Sequence, residues 1–420
     1  MVAALLCGAA VAAAENVTLT QLMMPHHYGW TSEYYAEMAA RFEAAHPGVT
    51  IEVLPAASRP DYEDKVAVGT ASGVIFDVMV PPALSWAQLA GQGFFVDMLP
   101  FIERDPDIDA EQFLLIARLA QTMGGQLLGL PIAVSTISPV INVPMFQEAG
   151  LETPSQMGSA WNWDALRMVG QRLSRDLNGD GQNDVWGIAH RLEYSRLIPT
   201  FVHNAGGDAL DAEIDPRRAT FVSDPAVEIG LEFFLDLYQR GYVTLSGNAY
   251  HEGKVGVDLS YLPESAIAFT YDRGNPWEYE VAHNPRGPAR QGSEVLAFSY
   301  AIHRDTKYKD IAWEWIKFLS LDRDAVHGVM KAWGNPTANL AYLNDFFDLF
   351  PEVPPSFRLY GEIMQHPDAR VQPVTPAYVV LQREFSQRLG PVLNGRESLR
   401  NFLVNMDTVI QAELDKWWGN

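Results

Sequence analysis

Beyond its seventh residue the chain has no cysteine. Cys7 is the only one among 420 residues, so the chain can form no internal disulfide and its stability has to come from burial. Basic side chains are also scarce. Lys and Arg number 30 against 52 Asp and Glu, a net charge of −22, which argues against nucleic acid as a partner. The same balance could draw in a cationic solute such as a polyamine, although solubility alone explains it. Common catalytic signatures are missing as well. There is no Gly-x-Ser-x-Gly elbow and no phosphate-binding Gly-Lys-Ser loop, and His251-Glu252 lacks the second histidine of a zinc protease helix. Among enzymes this leaves an exported carbohydrate-active enzyme with a carboxylate pair as the alternative to a binding protein.

The N-terminal apolar run, Met1 to Ala14, is too short to span a bilayer. It ends in Ala12-Ala13-Ala14 before Glu15, which suits a signal peptidase, so residues 1–14 are expected to be a signal peptide and the mature chain periplasmic. The positive segment that opens such signals is missing, which leaves room for a start upstream of Met1. Leu6 argues against a lipid anchor on Cys7, because that position wants a very small residue.

What the chain does have is core. Hydrophobic residues make up 48% of it, with 11 Trp, 16 Tyr and 20 Phe, enough for two ordered domains. Early on, strands are expected at Val17 to Leu22, Val49 to Val53 and Val74 to Val80, alternating with helices at Thr31 to Ala45, Asp61 to Ala71 and Ala83 to Ala90. That order predicts an α/β fold with a parallel sheet, whose ligand loops lie at the C-terminal ends of the strands. Two such loops carry Tyr28 with Trp30, and Trp86. Their rings could stack on the apolar face of a sugar or cap the helix that follows. His26-His27 read as solvent-facing, since adjacent histidines seldom converge on one metal.

Leu127 to Leu151, LLGLPIAVSTISPVINVPMFQEAGL, joins this half to an aromatic-rich second half. Pro131, Pro139 and Pro144 forbid a continuous helix, so the stretch reads as an extended hinge. Ser135, Thr136 and Ser138 among apolar neighbours suit a chain beside a wet cleft, or else a buried strand whose hydroxyls bond to backbone. Further on, the spacing predicts a helix from Trp161 to Arg175, strands at Val185 to Ala189, Ala266 to Tyr271 and Leu296 to Ile302, and a helix from Asp224 to Gln239. Late packing helices are expected around Pro376 to Leu389 and Glu397 to Trp418.

The segment Pro131 to Glu148, with Asn142, Phe146 and Glu148 in register, resembles the signature of the family 1 extracellular solute-binding proteins, the maltose-binding-protein-like receptors of bacterial ABC importers. It departs from that signature at Pro139 and Ile141. Trp86 to Leu99, the Trp161-Asn162-Trp163 helix start, Tyr194 followed by Gly206-Gly207, the Trp277 loop and Trp333-Gly334-Asn335-Pro336 are similar to later family segments in the same order. Asp310 to Ser320, DIAWEWIKFLS, is the most specific match. The resemblance implies a two-lobed periplasmic-binding-protein fold with a hinge between lobes. The first lobe would comprise 15–133 and 290–332, the second 134–289 and 333–420. It also implies a non-enzymatic receptor that captures a sugar, oligosaccharide or sugar derivative in the cleft and delivers it to the transmembrane subunits of a permease, acting as a monomer. The ligand-facing set would be Tyr28, Trp30, Trp86, Ser135, Thr136, Tyr194, Tyr271, Arg273, Trp277, Trp333 and Asn335. Arg273 is an added donor able to grip a carboxylate, sulfate or phosphate, or to pair with a carboxylate of the chain.

One further loop, Asp176 to Asp184, sets oxygen-bearing side chains at its first, third, fifth and ninth positions (Asp176, Asn178, Asp180, Asp184), with Gly181 sixth and Gln182 seventh. This spacing suits calcium, but Gly187 stands where an EF-hand places its bidentate Glu. The expectation is no required cofactor, with the loop either a structural calcium site or a tight turn.

Overall fold

The computed structural model describes residues 16–24, 31–274 and 276–419. The segments carrying residues 1–15, Tyr28 and Trp30 therefore lie outside the described residues.

The first sheet forms as the apolar alternation predicts. Strands β1 (Val17–Met23), β2 (Val49–Pro55) and β3 (Val78–Val80) pair in parallel, joined by the helices Thr31–Ala45 and Arg59–Ser72. The third strand is shorter than the sequence suggests. Gly73 ends the preceding helix in the left-handed conformation (φ 73°), and Val74 is exposed in the turn that follows. After helix Ala83–Gly91 a small hairpin, β4 (Thr122–Met123) with β5 (Gln126–Leu127), precedes the expected hinge.

That hinge is two strands, β6 (Leu130–Thr136) and β7 (Ser138–Asn142), every residue of which is buried. They belong to different sheets. β6 pairs with β12, whereas β7 pairs with β10 and β11. Both prolines sit where the ladders slip register: Pro131 opposite Ser299 beside the irregularity between Phe298 and Ser299, and Pro139 opposite the one between Asp258 and Tyr261. Their missing donors are accommodated there. Asn142 accepts from Met145 N and caps the helix Val143–Glu148.

The second sheet runs β11-β7-β10-β8-β9, formed with β8 (Trp186–Ala189), β9 (Val243–Thr244), β10 (Val255–Tyr261) and β11 (Tyr279–Val281). β8, β9 and β10 are parallel while β7 is antiparallel to its neighbours, so the sheet is mixed. The helix Pro225–Gln239 has the expected ends, with Asp224 accepting from Ala226 N ahead of Pro225. The helix expected from Trp161 begins at Trp163, because Asn162 caps it and Trp161 is buried with its indole donating to His283 O. Ala266 to Tyr271, expected as a strand, is instead part of the helix Pro263–Tyr271. A short apolar run suits either element, and Pro263 in the first turn decides for helix.

β12 (Glu294–Ile302) returns to the first sheet. It ends antiparallel to β3 and begins between β6 and β13 (Arg370–Val371), giving the order β13-β12-β3-β1-β2. The matched run forms the helix Lys309–Leu321, followed by Arg323–Trp333. The late helices Tyr378–Leu393 and Leu399–Trp418 pack beneath the second sheet with Phe201, Phe234 and Leu389 in one core. Among the described residues no helix is long and apolar enough to cross a membrane.

Sheet and helix approach closely at Gly187 in β8, where an added Cβ would lie 2.5 Å from Gly170 Cα and 2.9 Å from Val169 O. Gly187→Ala is expected to cost about 1–3 kcal/mol. Gly390→Ala, in a helix with open space beyond its chain neighbours but directly ahead of Pro391, sets a gain in helix propensity against a clash of the new Cβ with the proline ring and should change stability by less than about 1 kcal/mol. Urea unfolding midpoints of the two variants check both.

Candidate functional site

The chain passes between the sheets at Ile137, between β11 and β12, and after β13. These crossings lie side by side. Glu294 opens β12 in register with Arg370 of β13, and Thr136 Oγ1 donates to Glu294 O at 2.8 Å. Helix Ala83–Gly91 of the first half packs on helix Tyr378–Leu393 of the second, and Val374 N donates to Glu213 O at 2.7 Å. The two halves therefore meet in a closed seam.

Polar side chains fill that seam. Glu294 is fully buried, and both its carboxyl oxygens lack a hydrogen-bond partner. Arg370, 1% exposed, pairs through Nη1 with Asp208, while Nε and Nη2 donate to nothing. The hydroxyls of buried Tyr194 and Tyr378 are likewise unpartnered, their rings edge to face at 6.1 Å. Gln372 donates to Ala83 O at 3.3 Å but leaves its carbonyl unpaired, and it shares a cavity of about 20 Å³ with Trp86, whose indole N–H has no acceptor. Arg196 bonds to Glu193 through Nε at 3.3 Å and leaves Nη1 free.

Such groups are costly when buried unpaired, about 1–3 kcal/mol each for neutral ones and more for charges. Their ionisation follows from this. Burial raises the Glu294 carboxyl to about 8 against the opposing field of Arg370, and raises Glu264 to about 7 and Asp258 to about 6. Burial lowers His203 to about 4, with Arg370 adding to the effect. A concentration of unsatisfied donors and acceptors between aromatic rings is what a polyhydroxylated ligand would satisfy.

A second group lies at the C-terminal ends of β8, β9 and β10. Tyr250, His251, Tyr261, Phe269 and Trp277 pack with ring centroids 5.0–6.2 Å apart.

The structure places the residues singled out from sequence as follows. Trp86 and Tyr194 are in the seam. Ser135 donates to Glu264 at 3.2 Å and Thr136 to Glu294 O, so these two hinge hydroxyls are buried and bonded, whereas Ser138 Oγ is buried without a partner. Trp277 is in the aromatic group, and Arg273 is exposed. Tyr271 is 40% exposed, its hydroxyl accepting from Glu352 N and its ring edge-on to Phe350. Trp333 is buried edge-on to Phe298, and Asn335 donates to Trp333 O. Sequence reasoning missed Glu294, Arg370, Gln372, Tyr378, Arg196 and Asp208. One local signal was available, an acid opening an otherwise apolar returning strand.

In the Asp176–Asp184 loop, Asp176 accepts from Gly179 N and Gly181 N at 2.7 and 2.8 Å, Asn178 from Asp180 N, Asp180 from Gln182 N, and Asp184 from Leu177 N and Asn178 Nδ2. These bonds hold the Asp176 carboxyl below the usual range. Among the described residues no group of three or more His, Cys, Asp or Glu is arranged to hold a metal. As a hydrogen-bonded turn the loop should keep its melting temperature in EDTA and lose stability in Asp176→Ala. A fall in EDTA reversed by calcium would assign the loop to the cation.

Glu294 carries a pH prediction. The unfolded carboxyl ionises near 4.5, whereas the folded one holds its proton to about 8, so its contribution falls as pH rises between those values, by up to about 1.4 kcal/mol per unit. Glu294→Gln should therefore gain on the parent protein progressively from pH 5 to pH 8, read by urea unfolding at each pH.

Comparison with known proteins agrees with this architecture. The sequence profile of the bacterial extracellular solute-binding proteins matches residues 28–325. A binding protein of Brucella abortus (strain 2308) is 23% identical over 319 residues, 74% of each chain. Among solved structures, the ABC substrate-binding protein Lmo0181 of Listeria monocytogenes, in complex with cycloalternan, superposes with a TM-score of 0.77 at 19% identity, covering 96% of this chain and 99% of that one. The sugar-binding protein MalE of Xanthomonas citri gives 0.76 at 18%, covering 95% and 98%. A Thermotoga lettingae solute-binding protein bound with α-D-tagatose gives 0.75 at 18%, covering 95% and 100%. With the profile spanning most of the chain and a two-lobed fold around a polar seam, the chain belongs to the bacterial extracellular solute-binding proteins.

Proposed function

We propose that the protein captures a sugar, oligosaccharide or sugar derivative in the seam and delivers it to the transmembrane subunits of an ABC importer. It does so as a monomer in the periplasm after loss of residues 1–14, and without turning its ligand over. The observation that carries this reading is the set of buried, unpartnered polar atoms on Glu294, Arg370, Tyr194, Tyr378 and Gln372. Sugar hydroxyls both donate and accept, so one ligand could satisfy a carboxyl, a guanidinium and phenols together while its ring lies against aromatic faces. The solved relatives in complex with cycloalternan and α-D-tagatose support the same class.

The mechanism follows from the cost of the seam. Closing the two halves withdraws Glu294 and Arg370 from water, a penalty that a bound saccharide offsets and an empty cleft does not. A ligand touching both halves therefore favours the closed form over the open one, and closure is what a permease can read.

A thermal-shift screen of the purified protein tests this. A saccharide at 100 times its Kd adds roughly 2.7 kcal/mol, which raises Tm by about 5–10 °C. Tyr378→Ala should weaken binding of that saccharide by about 2 kcal/mol, some thirtyfold by calorimetry. Hydrolysis products in the saccharide wells, or stabilisation by polyamines alone, would overturn the reading.

A further inference from the structure

We propose that the hairpin 210–219, just ahead of helix Pro225–Gln239, is a latch: anchored on the last helix of the second half, it clasps the β4–β5 turn of the first half and holds the two halves together before any ligand arrives. Nothing in this latch depends on which solute the seam captures.

The base of the hairpin is fixed to the second half. Leu210 and Ala219 bridge antiparallel across it, and Asp211 closes the loop by accepting from Arg217 N and Arg218 N at 2.8 and 3.0 Å. Helix Leu399–Trp418 grips one side. Gln411 accepts from Ala219 N at 3.0 Å and donates to Arg217 O at 3.1 Å, while Trp418 Nε1 donates to Pro216 O at 2.8 Å. The Arg217 guanidinium lies 3.9 Å from the centre of the Trp418 ring, within cation–π range. Held this way, the hairpin must move with that helix.

Its tip leaves the second half. Glu213 O accepts from Val374 N at 2.7 Å, and Asp215 N donates to Val374 O at 3.1 Å. Glu213 Oε2 accepts from Val371 N of β13 at 3.0 Å, and just ahead of the hairpin Asp208 pairs with the buried Arg370. Beyond these crossing strands the tip reaches the first half itself. Asp215 Oδ2 accepts from Gly124 N in the β4–β5 turn at 2.7 Å, and Ile214 packs on the apolar cluster that holds Trp86, Met123 and Leu128. None of these bonds uses the unpartnered atoms of Glu294, Tyr194 or Tyr378, so a ligand in the seam neither makes nor replaces them.

The backbone at the tip is shaped for this contact. Among the described residues Asp215 is the one non-glycine residue with a positive φ, at 51°. Asp and Asn tolerate that conformation better than other side chains, and it persists where surrounding contacts hold it. Across from it Gly124 and Gly125 are both left-handed, at φ 58° and 76°, in the two-residue turn of the hairpin. The Gly124 N–H has no place in the β4–β5 ladder, and the Asp215 carboxylate meets it. Bonds that form only when the halves are together offset part of the cost of burying Glu294 and Arg370, so they raise the closed population and leave less for a ligand to supply.

Distance measurements between paired nitroxide labels on the full protein test this. Ala57→Cys after β2 and Asn248→Cys after β9, in a Cys7→Ser background, put labels on exposed loops beside the edge strands of the two sheets. With no sugar added, the parent should give mainly the short separation of the closed seam. Asp215→Gly keeps the left-handed backbone but removes the carboxylate, and should lower the closed-to-open ratio about fivefold; Ile214→Ala should lower it about tenfold. Asp215→Asn, which keeps an acceptor and the backbone preference, should stay near the parent. So should Leu177→Ala, 64% exposed in the Asp176–Asp184 loop. A parent already open without sugar, or Asp215→Gly and Ile214→Ala proteins as closed as the parent, would overturn the latch. Saccharide capture would stand in either case, because the thermal-shift screen reads it separately.

Discussion

A carboxyl and a guanidinium, Glu294 and Arg370, are brought into register at the start of two adjacent strands and removed from water together. Everything about the site follows from that. Neither side chain is satisfied by the other, since Arg370 turns Nη1 to Asp208 and the oxygens of Glu294 go unpaired. Burial of this kind contributes little stability and usually costs some. A fold that keeps it at the crossing of its two halves has concentrated its polar debt where a ligand can settle it.

The crossings themselves explain why the seam lies there. β6 and β7 are consecutive in sequence yet belong to different sheets, separated only by Ile137. β12 and β13 add two further passages beside them. Strands that change sheets bring backbone from both halves within a few ångströms, so side chains at their ends face one another across the junction. Small rotations about such a junction open or close the seam without disturbing either core, which is the mechanical requirement for a hinge. Two of its hydroxyls hold this framework: Ser135 bonds to Glu264 and Thr136 to the Glu294 carbonyl.

The two polar groups of the cleft differ in kind. In the seam the donors and acceptors are deeply buried and mixed in sign, suited to hydroxyls. At the ends of β8, β9 and β10 the aromatic cluster of Tyr250, Phe269 and Trp277 leaves the Tyr250 hydroxyl, the Trp277 indole N–H and His251 Nδ1 without partners.

Much of the fold was legible because its elements are announced locally. Asp224-Pro225 marks a helix start whatever surrounds it, Pro131 and Pro139 forbid a helix through the hinge, and the alternation of strands and helices from Val17 onward fixes an α/β class. Where local signals were degenerate the reading failed: Ala266 to Tyr271 suits a strand or a helix, and Pro263 made it a helix. The site was less legible. Trp86 was singled out because an aromatic residue on a strand-end loop is a local pattern, and Tyr194 and Trp277 through the family resemblance. Glu294, Arg370, Gln372 and Tyr378 were not, because what distinguishes them is burial and missing partners, and neither is written beside them in the chain. By itself the sequence determined most of the helices and strands and that burial without disulfides holds them. Only the tertiary structure decided which charges lose their water and which residues distant in the chain face one another, because desolvation depends on what packs against a group and not on what precedes it.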